Sequence, residues 1–169
     1  MPKGLKPTSG VIVVSSNQIE SALSTFTSGK VDLQLNVLDR EVFVVTAIDI
    51  DMLPPALKAD DVTVVSGSIS TTQRTTVGGL DNSNVLAAMK ITTQSITGVG
   101  ACTNYFQSTE SPHAQLEYIG IIATNDFYLN VESARNDAPA NMNARLWGFR
   151  AQADASTFAA LTQSELLSA

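Results

Sequence analysis

The chain has a single cysteine, Cys102, and a single histidine, His113. One cysteine excludes an intrachain disulfide, so the fold cannot depend on an oxidising compartment. One histidine removes most zinc and cupin-type metal centres, which draw on two or more imidazoles. Charge is sparse as well. Asp, Glu, Lys and Arg make up 15% of the 169 residues, against about 25% in an average globular protein. The balance is acidic, 10 basic against 16 acidic side chains for a net charge of −6, which speaks against a surface devoted to nucleic-acid phosphates or anionic lipid. No apolar run approaches a signal-peptide core or a membrane span, so the chain reads as soluble and unprocessed. No nucleophile elbow, phosphate loop or dinucleotide fingerprint occurs.

What the sequence does have is β pattern, most strongly over Val31–Met52. Val31, Leu33, Leu35 and Val37 alternate with Asp32, Gln34 and Asn36, the period-2 signature of a half-buried strand. After Leu38-Asp39-Arg40-Glu41, read as a tight hairpin turn, Val42–Ile50 is apolar on both alternating faces, as in a strand covered on both sides. Such a pair, expected at the centre of the fold, is only marginally stable alone, so partner strands are expected elsewhere. They are read at Val11–Ser15, at Val62–Gln73 with a kink or bulge at Gly67, at Lys90–Val99, at Ala114–Ala123, at Phe127–Glu132 and at Met142–Gln152. Residues 16–27 are left open between a helical turn and an irregular lead-in, Asn84–Met89 suggests one helical turn, and Ala101–Pro112 a polar loop.

Residues 1–10, with two prolines, two glycines and two lysines, read as a flexible N-terminal arm. Residues 11–169 form one β-sandwich domain, long enough to bury a core. It includes a C-terminal helix over 155–167, capped by Asp154 or Ser156 and docked through Phe158, Leu161 and Leu166. Strands separated by turn signals, without alternating long helices, indicate an all-β fold, an antiparallel sandwich or barrel; of these an antiparallel β-sandwich of single jelly-roll type is expected.

Candidate chemistry is thin. Cys102 and His113 would make a nucleophile and base if they met, but no flanking motif supports the pair, and a buried inert thiol and a solvated loop imidazole are the plainer readings. Asp49, Asp51, Asp60 and Asp61 could converge on a hard cation or supply a glycosidase-type carboxylate pair, although their spacing matches no EF-hand loop. Asp49 and Asp51 share a strand face, where a neighbouring Arg or Lys would relieve their repulsion. Trp147, Phe149, Tyr118 and Tyr128 could form an aromatic platform for sugars, or could be ordinary sandwich core and rim. No catalytic, cofactor or metal residue is assigned, and the chain reads as a non-enzyme.

The segments DFYLNVESA (Asp126–Ala134) and NARLWGFR (Asn143–Arg150) resemble the closing strands of small jelly-roll capsid proteins of icosahedral viruses, and LDREVFVV (Leu38–Val45) is compatible with their early strands. That resemblance implies a self-assembling coat subunit of the virion, assembled in the host cytoplasm. Its partners would be copies of itself and other capsid proteins, with no active site, small-molecule substrate or cofactor. The Arg-rich arm of many small RNA-virus coats is missing here, which puts genome packaging by this chain in doubt and leaves major coat, minor vertex protein or spike open. The alternative, from a different functional class, is a carbohydrate-binding or lectin-like sandwich.

Overall fold

The computed structural model describes residues 4–107 and 117–167. Among these residues ten strands, one 3-10 turn (Val37–Asp39) and one α-helix succeed one another: β1 (Leu5–Pro7), β2 (Ile12–Ile19), β3 (Thr27–Asp32), β4 (Glu41–Met52), β5 (Val62–Ser70), β6 (Val85–Ile96), β7 (Gly100–Gln107), β8 (Gly120–Ile122), β9 (Asp126–Ala134), β10 (Asn141–Ala153) and α1 (Ala155–Leu167). Every pairing is antiparallel. One sheet runs β2-β10-β4-β8, with β1 continuing the β2 edge along the end of β10, and the other runs β3-β9-β5-β6-β7. With short β1 and added β7 set aside, this is the strand order of a jelly roll, two four-stranded sheets face to face. No helix among the described residues is long and apolar enough to cross a membrane.

The core lies between the sheets. Phe43, Val45, Ile48, Ile50, Leu146 and Met142 project from the first sheet against Val65, Ile69, Ile91, Phe127, Leu129 and Val131 of the second. Each such side chain, when fully buried, is worth roughly 1.5–3 kcal/mol. The inward positions of β4 are odd-numbered up to Val45 and even-numbered from Ile48. A bulge opposite Trp147/Gly148 makes that change of phase: Trp147 pairs with Ala47 but Gly148 with Val45, and Thr46 is left over. The outward Val42 and Val44 form a second apolar cluster with Ala151, Ala153, Ile121 and Phe149, on which Phe158 and Leu161 of α1 pack. Strand β4 is therefore covered on both faces, as its unbroken apolar run implied.

Several expectations need correction. The alternation expected over Val31–Val37 holds in burial only as far as Leu35, since Leu33 and Leu35 are buried but Val37 is exposed, and the strand is Thr27–Asp32. Gln34 turns left-handed at φ 52°, and residues 33–40 carry the chain from one sheet to the other. The Val31 and Val42 segments are thus not a hairpin, and β3 is an edge strand, not a central one. Gly67 passes straight through the ladder; its bare Cα makes room for the Met142 and Met52 sulfurs, 2.7 and 2.9 Å from where a Cβ would sit, and the irregularity falls at Ile69/Ser70 instead. Val85–Met89 is strand, not a helical turn, and residues 101–107, expected as loop, form β7. Of 114–123, residues 114–116 lie outside the described residues and only Gly120–Ile122 is strand. Leu5–Pro7, assigned to a flexible arm, are hydrogen-bonded to the end of β10, and Thr8 N donates to Arg150 O.

The C-terminal helix spans 155–167 as expected. Asp154 is its cap, Oδ1 accepting from Thr157 N at 2.7 Å and Ser156 Oγ at 2.9 Å, and these bonds hold its carboxyl below the usual range. Docking uses Phe158, Leu161 and Glu165, spaced i, i+3, i+7 along one face; Leu166 falls outside that stripe and is exposed. Glu165 is buried, its two carboxylate oxygens accepting from Ala123 N and Thr124 N at 2.9 Å each. Burial raises its pKa, against the lowering effect of those two bonds. The native state therefore holds this proton to higher pH than the unfolded chain does. The resulting stabilisation is complete below the ordinary Glu value and is lost as pH rises through the raised one. In denaturation experiments between pH 4 and 8, the stability of the parent relative to Glu165→Gln should rise as pH falls. A difference that is flat, or that shrinks on acidification, would refute this account.

Candidate functional site

Alternation along β5, β6 and β9 sends every second side chain to the outer face of the second sheet. The register aligns Glu132, Ser66, Lys90 and Phe106 as one row across β9, β5, β6 and β7. Glu132 and Lys90 thus flank Ser66 on neighbouring strands, their backbones about 10 Å apart at two strand spacings. Ser66 Oγ donates to the Glu132 carbonyl at 3.3 Å. The β5–β6 connection borders the same face with Val77, Gly78, Gly79 and Leu80, and together these residues enclose a cleft of about 760 Å³ with Tyr105 and Phe106 at its rim. The connection is held in shape by Arg74, whose Nη1 donates to Asn84 Oδ1 at 2.9 Å and Nη2 to Asn82 Oδ1 at 3.2 Å. Asn84 in turn donates to Thr72 Oγ1. Beneath it, Ser68, Ser70 and Asn130 are fully buried on the outward face, with Asn130 Nδ2 donating to Ser70 Oγ at 2.9 Å. The cleft offers stacking surfaces, one charge of each sign and a hydroxyl: a set suited to binding a neutral polar molecule.

The outer face of the first sheet is divided. One half lies under α1; the other is polar, with rows Asn17–Asn143–Asp51 and Ser15–Arg145–Asp49 across β2, β10 and β4. Asp49 and Asp51 do share that face, and Arg145 stands opposite Asp49, where sequence reasoning placed a compensating cation. Arg145 also lies over the Trp147 ring, 5.7 Å from its centroid.

The four aspartates do not converge. Asp60 and Asp61 sit before β5, away from the Asp49/Asp51 face, and each has a structural task. Asp60 accepts from Thr97 N at 2.7 Å and Thr97 Oγ1 at 2.9 Å, and these bonds lower its pKa. Asp61 pairs with Arg135 at 2.7 Å, and that hydrogen bond lowers its pKa. Among the described residues no three His, Cys, Asp or Glu side chains group as a metal site. Cys102 is on β7 and exposed, not buried; His113 lies outside the described residues. The proposed aromatic platform is split. Trp147 and Phe149 share the outer face of β10, but Phe149 and Tyr118 pack in the cluster beneath α1, and Tyr128 belongs to β9 on the other sheet.

Sequence reasoning missed Tyr105 and Phe106, hidden in a stretch read as polar loop, and also the buried Glu20. The carboxylate of Glu20 accepts from Ser133 N, from Ser133 Oγ at 2.7 Å and from Ala140 N at 2.6 Å. One signal was available for both buried acids. Glu20 is the sole charge between Lys6 and Lys30, and Glu165 the sole charge after Asp154. No protein-family model matches the chain, and no curated protein matches it either.

Proposed function

We propose that this chain is a structural, self-assembling subunit of a protein shell, the coat of an icosahedral virus, with no catalytic role. The observation that carries the proposal is the jelly-roll strand order, an architecture used by viral capsid proteins as well as by lectins and cupins. Because fold alone does not dictate function, the surface has to choose among these. It favours assembly: charge is low, and Val11, Val13, Ile19, Val99, Tyr105 and Phe106 stand exposed along two sheet edges. Depletion of charge is a mark of interface cores. In this reading the protein resides in the virion and its partners are other copies of itself. Electron microscopy of the purified protein should show closed particles of uniform diameter. A protein that stays monomeric at high concentration, across the salt and pH range in which it remains folded, would overturn the proposal.

A second reading, carbohydrate binding, is favoured by the Glu132–Ser66–Lys90–Phe106 row and the aromatic rim of its cleft, since stacking surfaces beside hydrogen-bonding groups suit a sugar. Calorimetric titration with a panel of oligosaccharides separates the two. Binding by a monomer, abolished in Phe106→Ala, would favour the lectin-like reading; particles indifferent to sugars would favour the shell.

A further inference from the structure

The two sheets end in four flanking strands, and these are not alike. On one flank lie β2 and β3, brought together where Gln18 packs against Gly29; on the other lie β8 and the β6–β7 ribbon, in contact through Leu86 and Gly120. Exposed strand edges are templates for pairing with another chain, and proteins ordinarily block them with charge, proline or brevity. Strand β3 carries Lys30 and Asp32, and β8 is three residues long. The remaining two are unguarded. No charged residue occurs from Pro7 to Ile19, which includes β2, or from Ile91 to Gln107, which includes β7.

These two edges match each other. Each strand is eight residues long, about 26 Å at 3.3 Å per residue, and neither contains a proline. Among the described residues the second sheet has a fifth strand where the opposing sheet has only short β8, so β7 overhangs and residues 100–106 are all exposed. Tyr105 and Phe106, adjacent in sequence, present one aromatic ring on each face of this overhang, 58% and 60% exposed. Strand β2 presents Val13 and Ile19 outward, each 51% exposed, while Ile12 and Val14 turn to the core. Aromatic rings beside β-branched side chains are favourable cross-strand neighbours. Pairing β2 with β2 would bring no aromatic ring to these valines and isoleucines.

We infer that β7 of one copy adds as a strand to β2 of a second copy, a head-to-tail contact that each subunit enters from both flanks. Because one chain carries both halves on opposite sides, no second protein is needed, and repetition yields a ring where the rotation between copies closes and an open filament where it does not. The inference deepens the shell-subunit reading by naming the contact, and the two can fail separately.

Charge placed on either edge blocks it. Val13→Lys is designed to close the β2 edge and Asn104→Lys the β7 edge; both positions are exposed, and circular dichroism and melting serve as the check that each variant folds. In sedimentation velocity the parent should form species larger than dimers, and each variant alone should be monomeric. An equimolar mixture of the two should stop at the dimer, joined through its one open β2 and one open β7. Either variant assembling alone, including a dimer built on one edge, would overturn the inference, as would a mixture that stays monomeric. Cysteine placed singly at Val13, Ser15 or Asn17 provides a test without added charge: mild oxidation should join it to Cys102 of another copy, and no such bond at any of the three would count against the contact. Closed particles formed by both lysine variants would sink the edge contact and leave the shell reading standing. Parent oligomers that cross-link as described but never close into particles would do the reverse.

Discussion

Glu20→Ala should be among the most destabilising single substitutions in this protein, lowering unfolding free energy by about 3 kcal/mol. Glu20 follows directly on β2, and its carboxylate reaches Ser133 at the end of β9 and Ala140 just before β10, tying the first sheet to the second. Its own backbone N–H also donates to Ala140 O at 2.9 Å, so one residue clamps the end of the sandwich from two sides. Ala would leave the N–H groups of Ser133 and Ala140 without their acceptor, and each residue is buried. An orphaned buried donor costs roughly 1–3 kcal/mol, and water entering the vacated space would recover part of the loss. Glu20→Gln keeps one acceptor oxygen but turns an NH₂ towards a donor, so an intermediate loss is expected. The readout is the urea midpoint at unchanged slope. A midpoint for Glu20→Ala within experimental error of the parent would show that the clamp carries no weight.

Legibility in the sequence followed the kind of force involved. Segments whose side chains alternate against a common core were readable from period alone, as for Phe127, Leu129 and Val131 in β9 or the two-sided apolar run of β4. Connectivity was harder, because alternation reports burial and not hydrogen-bonded partners. Leu33 and Leu35 are buried without belonging to a strand, and the polar Leu38–Glu41 break looks like a hairpin turn although the chain is there crossing between sheets. Strand β7 was hidden because an overhanging edge strand has no buried face to impose a pattern; its Thr, Asn and Gln residues read as loop. The cleft was illegible for a related reason. Glu132, Ser66, Lys90 and Phe106 lie on four strands, and only the register across the sheet sets them in a row. The sites dismissed on spacing, by contrast, concerned local geometry: Asp60 and Asp61 turned out to be held by Thr97 and Arg135, away from Asp49 and Asp51.

Gly148→Ala should cost about 2–3 kcal/mol, and Gly148→Val more, for a reason that a helix- or strand-propensity argument would miss. Gly148 has no positive φ, so its backbone is open to any residue and the constraint is purely steric. It sits on β10 at the bulge, facing inward between Leu146 and Arg150, where a Cβ would lie 2.4 Å from the Val44 carbonyl oxygen and 2.5 and 2.7 Å from Cε1 and Cζ of Phe43. The Phe43 ring is buried in the core and cannot swing away without opening a void. The carbonyl belongs to β4, the strand paired with β10 along nearly its whole length, so relief there means displacing the ladder. Overpacking of this kind typically costs 1–3 kcal/mol, and a contact with backbone belongs at the upper end. For a chain of this size that corresponds to a fall in melting temperature of roughly 4–12 °C. Two other glycines provide a graded comparison. At Gly67 the nearest atoms are the sulfurs of Met142 and Met52, side chains that can shift, so Gly67→Ala should cost less. At Gly10 nothing lies within 4 Å, and Gly10→Ala should leave the melting temperature unchanged or slightly raised. The order Gly148, Gly67, Gly10 is the prediction. If Gly148→Ala melts with the parent, β4 and β10 are not packed as closely as this geometry requires.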